Sequence, residues 1–355
     1  MEMTFRWYGR NNDSVSLEDI RQIPGTSGVV WALQHLPAGE VWPLDQIMDE
    51  KKYIESHGLN IDVVESVNVY EDIKLGLPSR EQYIENYKTT IKNLAQAGVK
   101  VICYNFMPVF DWIRTNLHKP LDDGSTALFY ENDEIKNATP EQIVNRILEN
   151  PSYTLPGWEP ERLAQIQEAI QQYEAVDTEQ LWNNLQYFLE QIIPVCEQHD
   201  VSMAIHPDDP PWPVFGLPRI ISTADDLERL VNLVDSPHNG ITLCSGAFGA
   251  RSDNDIPEMI RTYKDRIHFA HIRNVKRFEN GDFIESSHRS QDGSVDIVSI
   301  VEAYYEIGYK GYIRPDHGRH IWNEQCRPGY GLYDRALGIM YMLGIWDKLD
   351  KGVTS

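Results

Sequence analysis

Eight short, apolar, β-branched runs recur along this chain, at residues 4–8, 28–33, 61–67, 99–106, 202–206, 241–244, 267–271 and 311–314, with segments of helical period between them. Runs this short and this apolar fit strands buried on both faces, as in a parallel sheet covered by helices. The intervening helices read clearly. Tyr83, Ile84, Tyr87, Ile91, Leu94 and Ala95 share one face at 3.6-residue spacing, with Ser79 as a candidate cap and Gly98 as a stop. Leu181, Trp182, Leu185, Phe188, Leu189, Ile192 and Ile193 form a second stripe. Residues 17–23, 223–234, 297–305 and a segment from Tyr333 onward read as further helices. Repeated strand–helix alternation predicts a single TIM-type (β/α)8 barrel domain over residues 1–355. At 41% hydrophobic residues the chain can fill such a core. The rival is an open doubly wound sheet, and its nucleotide-binding versions lose support because neither GxGxxG nor GxxxxGK(S/T) follows an early strand.

One stretch breaks the rhythm. Residues from about 111 to 175 are polar, contain Pro120, Pro140, Pro151, Pro156 and Pro160, and follow the fourth strand. They read as a helical insertion leaving the barrel at the face where active sites form, either a lid or peripheral helices.

Charge narrows the partners. Lys and Arg number 32 against 54 Asp and Glu, a formal net charge of −22. Such a balance repels phosphate backbones and anionic lipid, so neither nucleic acid nor a membrane is expected as a partner. Acidic helix faces that keep the chain in solution account for most of it. Cys103, Cys196, Cys244 and Cys326 form no CxxC pair and no disulfide framework, which points to a reducing compartment. The start MEMTFRWYGR has no apolar signal core and no run of 18 apolar residues occurs, so a cytoplasmic location is expected.

The polar residues at the strand ends carry the chemistry. His206 ends the fifth strand, Cys244 the sixth and His271 the seventh, while Asp316 follows the eighth by one or two residues. Four metal-compatible side chains from consecutive strands therefore meet at the rim where TIM barrels gather catalytic residues. Imidazole, thiolate and carboxylate together suit Fe(II), Mn(II) or Zn(II). Taken singly, each has a plainer explanation: a hydrogen-bonded histidine, or a small buried cysteine. His268 shares a side of the strand with His271, and the latter is favoured by lying nearer the C-terminal end.

Neighbouring residues extend the site. Asp208 and Asp209 of HPDDPPWPVFGLPR are placed to orient ligands. Gly246 and Gly249 of CSGAFGA would let backbone N–H groups approach a bound carboxylate or hydroxyl. His317, directly after Asp316, is a candidate general acid or base. Arg251, Arg273, Arg314 and Arg319 add positive charge near the rim of an acidic protein, which points to an anionic substrate, although surface ion pairs would explain any one of them.

Several motifs together resemble those of the mannonate dehydratases of hexuronate breakdown. They are FRWYGRNNDSVSLEDIRQIPG, GEVWPL, YNFMPVFDW, AIHPDDPPWPVFGLPRI, HNGITLCSGAFG, HIRNV, RPDHGRHIW and PGYGLYDRALG, and they cover nearly the whole chain. The resemblance implies a TIM barrel that converts D-mannonate to 2-keto-3-deoxy-D-gluconate with loss of water. It implies a single Mn(II) or Fe(II) held by His206, Cys244, His271 and Asp316, with His317 and Tyr330 as catalytic partners whose acid and base roles stay open. For such a substrate, Asn105 at the end of the fourth strand and Arg273 are candidates to bind hydroxyls or the carboxylate. Ser286, Ser287 and His288, in the loop after the seventh strand, are further candidates. Two rivals share the rim: a metal-dependent sugar isomerase or epimerase, which would lean on more carboxylate ligands, and a non-catalytic sugar-acid-binding protein, which would not need His317 or Tyr330. Trp322 and Trp346 are compatible with a homo-oligomer.

Overall fold

The computed structural model describes residues 1–140, 142 and 166–353. Its strands, in chain order, are β1 (Glu2–Arg6), β2 (Thr26–Trp31), β3 (Asn60–Glu65), β4 (Val101–Tyr104), β5 (Asn116–Pro120), β6 (Thr126–Tyr130), β7 (Ser202–Ile205), β8 (Asn239–Cys244), β9 (Ile267–Ile272), β10 (Val275–Arg277), β11 (Phe283–Glu285) and β12 (Tyr312–Pro315). β1, β12, β9, β8, β7, β4, β3 and β2 close a barrel in that order, all paired in parallel. These are the eight runs read from the sequence, displaced by at most two or three residues at their ends.

Alternation along the strands divides the core in two. Val30, Val63, Val101, Cys103, Ala204 and Phe269 point inward and fill the barrel's interior. The opposite faces pack against the helices in one continuous layer that includes Trp31, Val64, Ile102, Met203, Leu243 and Ala270. The helix over Arg80–Ala97 ends at Gly98, which takes φ 95° and donates its N–H to the carbonyls of Ala95 and Leu94. Ser79 does not cap it: the Ser79 hydroxyl donates to Asp72 instead, at 2.6 Å. Asp177 caps the helix Thr178–His199, and Thr223 with Asp226 forms a capping box on Ala224–Leu233.

The insertion after β4 holds helices at Asn132–Asn137 and Ile166–Tyr173, but it opens with a hairpin absent from the sequence reading. β5 and β6 turn through Asp122, Asp123 and Gly124, the glycine at φ 84°, and extend an antiparallel sheet of order β10-β11-β6-β5. Pro151, Pro156 and Pro160 lie outside the described residues, as do positions 141 and 143–165 of the segment read as a lid or peripheral helices. Among the described residues no helix is long and apolar enough to cross a membrane.

Candidate metal centre

Strand register brings the four rim residues together. Cys244 pairs with His271 across β8 and β9, and His271 pairs with Arg314 across β9 and β12, two residues before Asp316. His206 follows β7, its N–H held by the carbonyl of Tyr104. One donor atom from each of His206, Cys244, His271 and Asp316 lies within 4.8 Å of the others. The Cys244 sulfur is 3.5 Å from Oδ2 of Asp316, and Nδ1 of His271 is 3.8 Å from the same oxygen.

His206, Cys244 and Asp316 are oriented from behind. Nδ1 of His206 sits 2.7 Å from the carbonyl of Pro207, which leaves Nε2 for the centre. Cys244 caps the short helix Ser245–Gly249 and accepts the N–H of Ala247 at 3.4 Å. His271 is fully buried, yet neither ring nitrogen has a hydrogen-bond partner; Nε2 approaches only Glu65, at 3.5 Å. A buried imidazole left this way is costly. A divalent cation among two imidazoles, a thiolate and a carboxylate would remove that cost, so these residues fit a first-row transition metal.

Behind the ligands runs a sealed network of arginines and carboxylates. Arg273 donates through Nε to Asp316 (2.8 Å), through Nη1 to both oxygens of Glu285 (2.7 and 2.8 Å) and through Nη2 to Asp209 (2.7 Å). Arg114 bridges Asp209 and Glu285 from the other side, at 2.8–2.9 Å. Arg314 joins Glu65 to Asp316. Burial alone would raise the Asp316 carboxyl, but His317, Arg314, His271 and Arg273 hold it well below the usual carboxylate range. Burial likewise opposes ionisation of Glu285, and Arg273, His317 and Arg114 bring it down to about 2.

This network revises several expectations. Arg273 does not line the cavity beside the ligands; its guanidinium is taken up in clamping Asp316. Gly246 serves that clamp, since a Cβ there would lie 2.4 Å from Cγ of Arg273, and a Cβ on Gly249 would lie 2.5 Å from Val295. The space the two glycines leave is filled by side chains rather than kept for a ligand. Asp209 orients Asp316 through Arg273, whereas Asp208 braces the loop by accepting the N–H of Ile221, and burial pushes its carboxyl up to about 6. Arg251 pairs with Asp253, and Arg319 with Asp334 and Asp123.

The cavity itself is lined by Asn105, His206, Asp316, His317 and Tyr330, among others. Nε2 of His317 is 2.9 Å from the Tyr330 hydroxyl, and its Nδ1 is 3.2 Å from Glu285. Burial raises the Tyr330 phenol well above its ordinary pKa, so it stays protonated. Ser286 and His288 are buried outside that lining: Ser286 donates to the carbonyl of Ser287, and His288 packs under the last helix, where a Cβ on Gly338 would meet its ring at 2.6 Å. Glu65, Arg114, Glu285 and Arg6 were missed by the sequence reading. Glu65 and Arg6 had left a signal, a charge inside an apolar strand run.

Comparison with known proteins agrees with this geometry. The D-mannonate dehydratase (UxuA) family model matches residues 1–355. Mannonate dehydratase 1 of Halalkalibacterium halodurans is 66% identical over 352 residues, covering 99% of this chain and 98% of that protein. The crystal structure of mannonate dehydratase from Streptococcus suis serotype 2 superposes with a TM-score of 0.90 at 44% identity, over 99% of this chain and 96% of the other. D-psicose 3-epimerase from Clostridium cellulolyticum H10 shares the fold alone, with a TM-score of 0.54 at 15% identity over 99% and 97% of the two chains.

Proposed function

The chain belongs to the D-mannonate dehydratase family, and from that membership we propose how its rim residues divide the work. Its activity is that of a mannonate dehydratase, a hydro-lyase, and its substrate is D-mannonate. His206, Cys244, His271 and Asp316 hold one Mn(II) or Fe(II); the unpartnered, buried His271 ring is the observation that carries this assignment. When bound, the ion supplies a Lewis acid that polarises the substrate's carboxylate end.

The chain's own residues then move the protons. D-mannonate loses its C2 proton and its C3 hydroxyl as water, and the resulting enol becomes 2-keto-3-deoxy-D-gluconate. Ionised Glu285 can only accept, so the His317 proton sits on Nδ1 and Nε2 is left as the acceptor. That supports His317 Nε2 as the base for the C2 proton. The protonated Tyr330 hydroxyl, its hydrogen-bond partner, is the donor to the departing C3 oxygen. Asn105, on the cavity wall, is placed to bind a substrate hydroxyl.

His317→Asn should keep its full complement of metal and lose turnover by about 10²–10⁴-fold. Metal content and formation of the 2-keto-3-deoxy product are measured together, and near-normal turnover would remove His317 from the mechanism. A thiol ligand works only when reduced, which favours a cytoplasmic location. The outward-facing Trp322, Tyr333, Leu337 and Met340 favour self-association through the last helix.

A further inference from the structure

We infer that Arg6 receives the carboxylate of the substrate. The argument starts from charge. A divalent ion bound by one thiolate and one carboxylate is neutral overall, so beyond direct coordination the metal centre offers an anion no long-range attraction. Positive charge has to come from elsewhere in the site. Arg114, Arg273 and Arg314 are each answered by buried carboxylates, and none of them lines the cavity.

Arg6 is different. It ends β1 on the cavity wall, and among the described residues it is the one arginine lining that cavity. It is 3% exposed, and among the described residues no carboxylate lies within ion-pair distance of it. Nη1 donates to the carbonyls of Trp7 (2.8 Å) and Val30 (3.1 Å), and the guanidinium lies over the Tyr8 ring, 4.3 Å from its centroid. Nε and Nη2 donate to none of the described residues. Two carbonyls and an aromatic face thus fix the plane of the fork while the remaining donors stay available, an arrangement suited to a carboxylate. Tyr8 in turn packs edge-on against Tyr330, with ring centroids 5.0 Å apart, so an anion held by Arg6 lies beside the proton-transfer pair.

This inference rests on D-mannonate being the substrate, and the test separates the two claims. KM and kcat for D-mannonate are measured in the Mn(II)-loaded protein, its Arg6→Gln variant and its Arg6→Lys variant. The inhibition constant of the uncharged analogue D-mannonamide is measured beside them. Calorimetric titration of both compounds into the same proteins carrying His317→Asn gives binding without turnover. Arg6→Gln should weaken D-mannonate by about 10- to 100-fold and D-mannonamide by less than about 3-fold, and Arg6→Lys should restore part of the preference for the acid. Equal weakening of both compounds would make Arg6 a packing or hydroxyl-binding residue and overturn the inference, as would unchanged affinity for the acid. Should Arg6→Gln fail to fold, Arg6→Met takes its place: an acid-to-amide preference equal to that of the parent protein overturns the inference. A parent protein that makes no keto product from D-mannonate would instead overturn the substrate.

Discussion

His271→Asn is expected to abolish stoichiometric metal binding and to lower kcat/KM for D-mannonate by on the order of 10³-fold, while leaving the metal-free barrel as stable as before. The first two effects follow from losing one of four ligands at a centre whose ion contributes several kcal/mol to the transition state. The third follows from the ring's situation. His271 is buried and makes no hydrogen bond, only long approaches to Glu65 at 3.5 Å and Asp316 at 3.8 Å, so its replacement removes little favourable polar contact. Adding Mn(II) should therefore raise the unfolding temperature of the parent protein and do little for the variant, because only a folded state that binds the ion is stabilised by it. Elemental analysis and thermal melts with and without Mn(II) check this. Full metal content in the variant would take His271 out of the ligand set.

Arg273→Met should produce the largest loss of stability of any single arginine replacement in the chain, about 3–5 kcal/mol. Without the guanidinium, Asp209, Glu285 and Asp316 face one another in a buried site with Arg114, Arg314 and His317 left to answer them. Arg229→Gln, which breaks an exposed pair with Glu179, is the control and should cost no more than about 1 kcal/mol. Urea midpoints compare the two, and a loss below that of the control would mean that the network is not held together by Arg273. The same carboxylates set an acid limit. Glu285 ordinarily titrates at 4.5 and is held at about 2, so its contribution is complete above pH 4.5 and fades as the pH falls towards 2. The parent protein should lose stability across that interval more steeply than Arg273→Met does.

What could be read from the sequence divides along a physical line. The eight barrel strands were legible because burial on both faces leaves continuous apolar runs, and the chemically distinctive Cys244 ends β8 while His271 stands one residue before the end of β9. The β5–β6 hairpin was obscured by its own polarity, since Asn116, His118 and Pro120 are partly or fully exposed, although Asp122, Asp123 and Gly124 marked the turn. Arg114, Asp209 and Glu285 could not be joined in advance, because they lie 95 and 171 residues apart; Asp209 was read as orienting ligands, but Arg114 and Glu285 alone read as ordinary surface charges. Ser286 and His288 lie outside the cavity lining for a related reason: nearness in sequence to Glu285 does not tell which way a side chain faces after a strand ends. Gly246 was noticed for the right property, its missing side chain, but that space is needed by Arg273.

The sheet that joins β10 and β11 to β6 and β5 bears on how such a protein can be rebuilt. Loops on a barrel rim are commonly treated as separate cartridges, each exchangeable on a constant frame. Here the segment leaving β4 and the segment leaving β9 are hydrogen-bonded into one sheet, and Arg114 from the first meets Glu285 from the second. Grafting either segment alone onto a relative would leave an unpaired strand edge and remove one ion pair from the network behind the ligands. The two segments form one exchangeable unit, inherited or transplanted together.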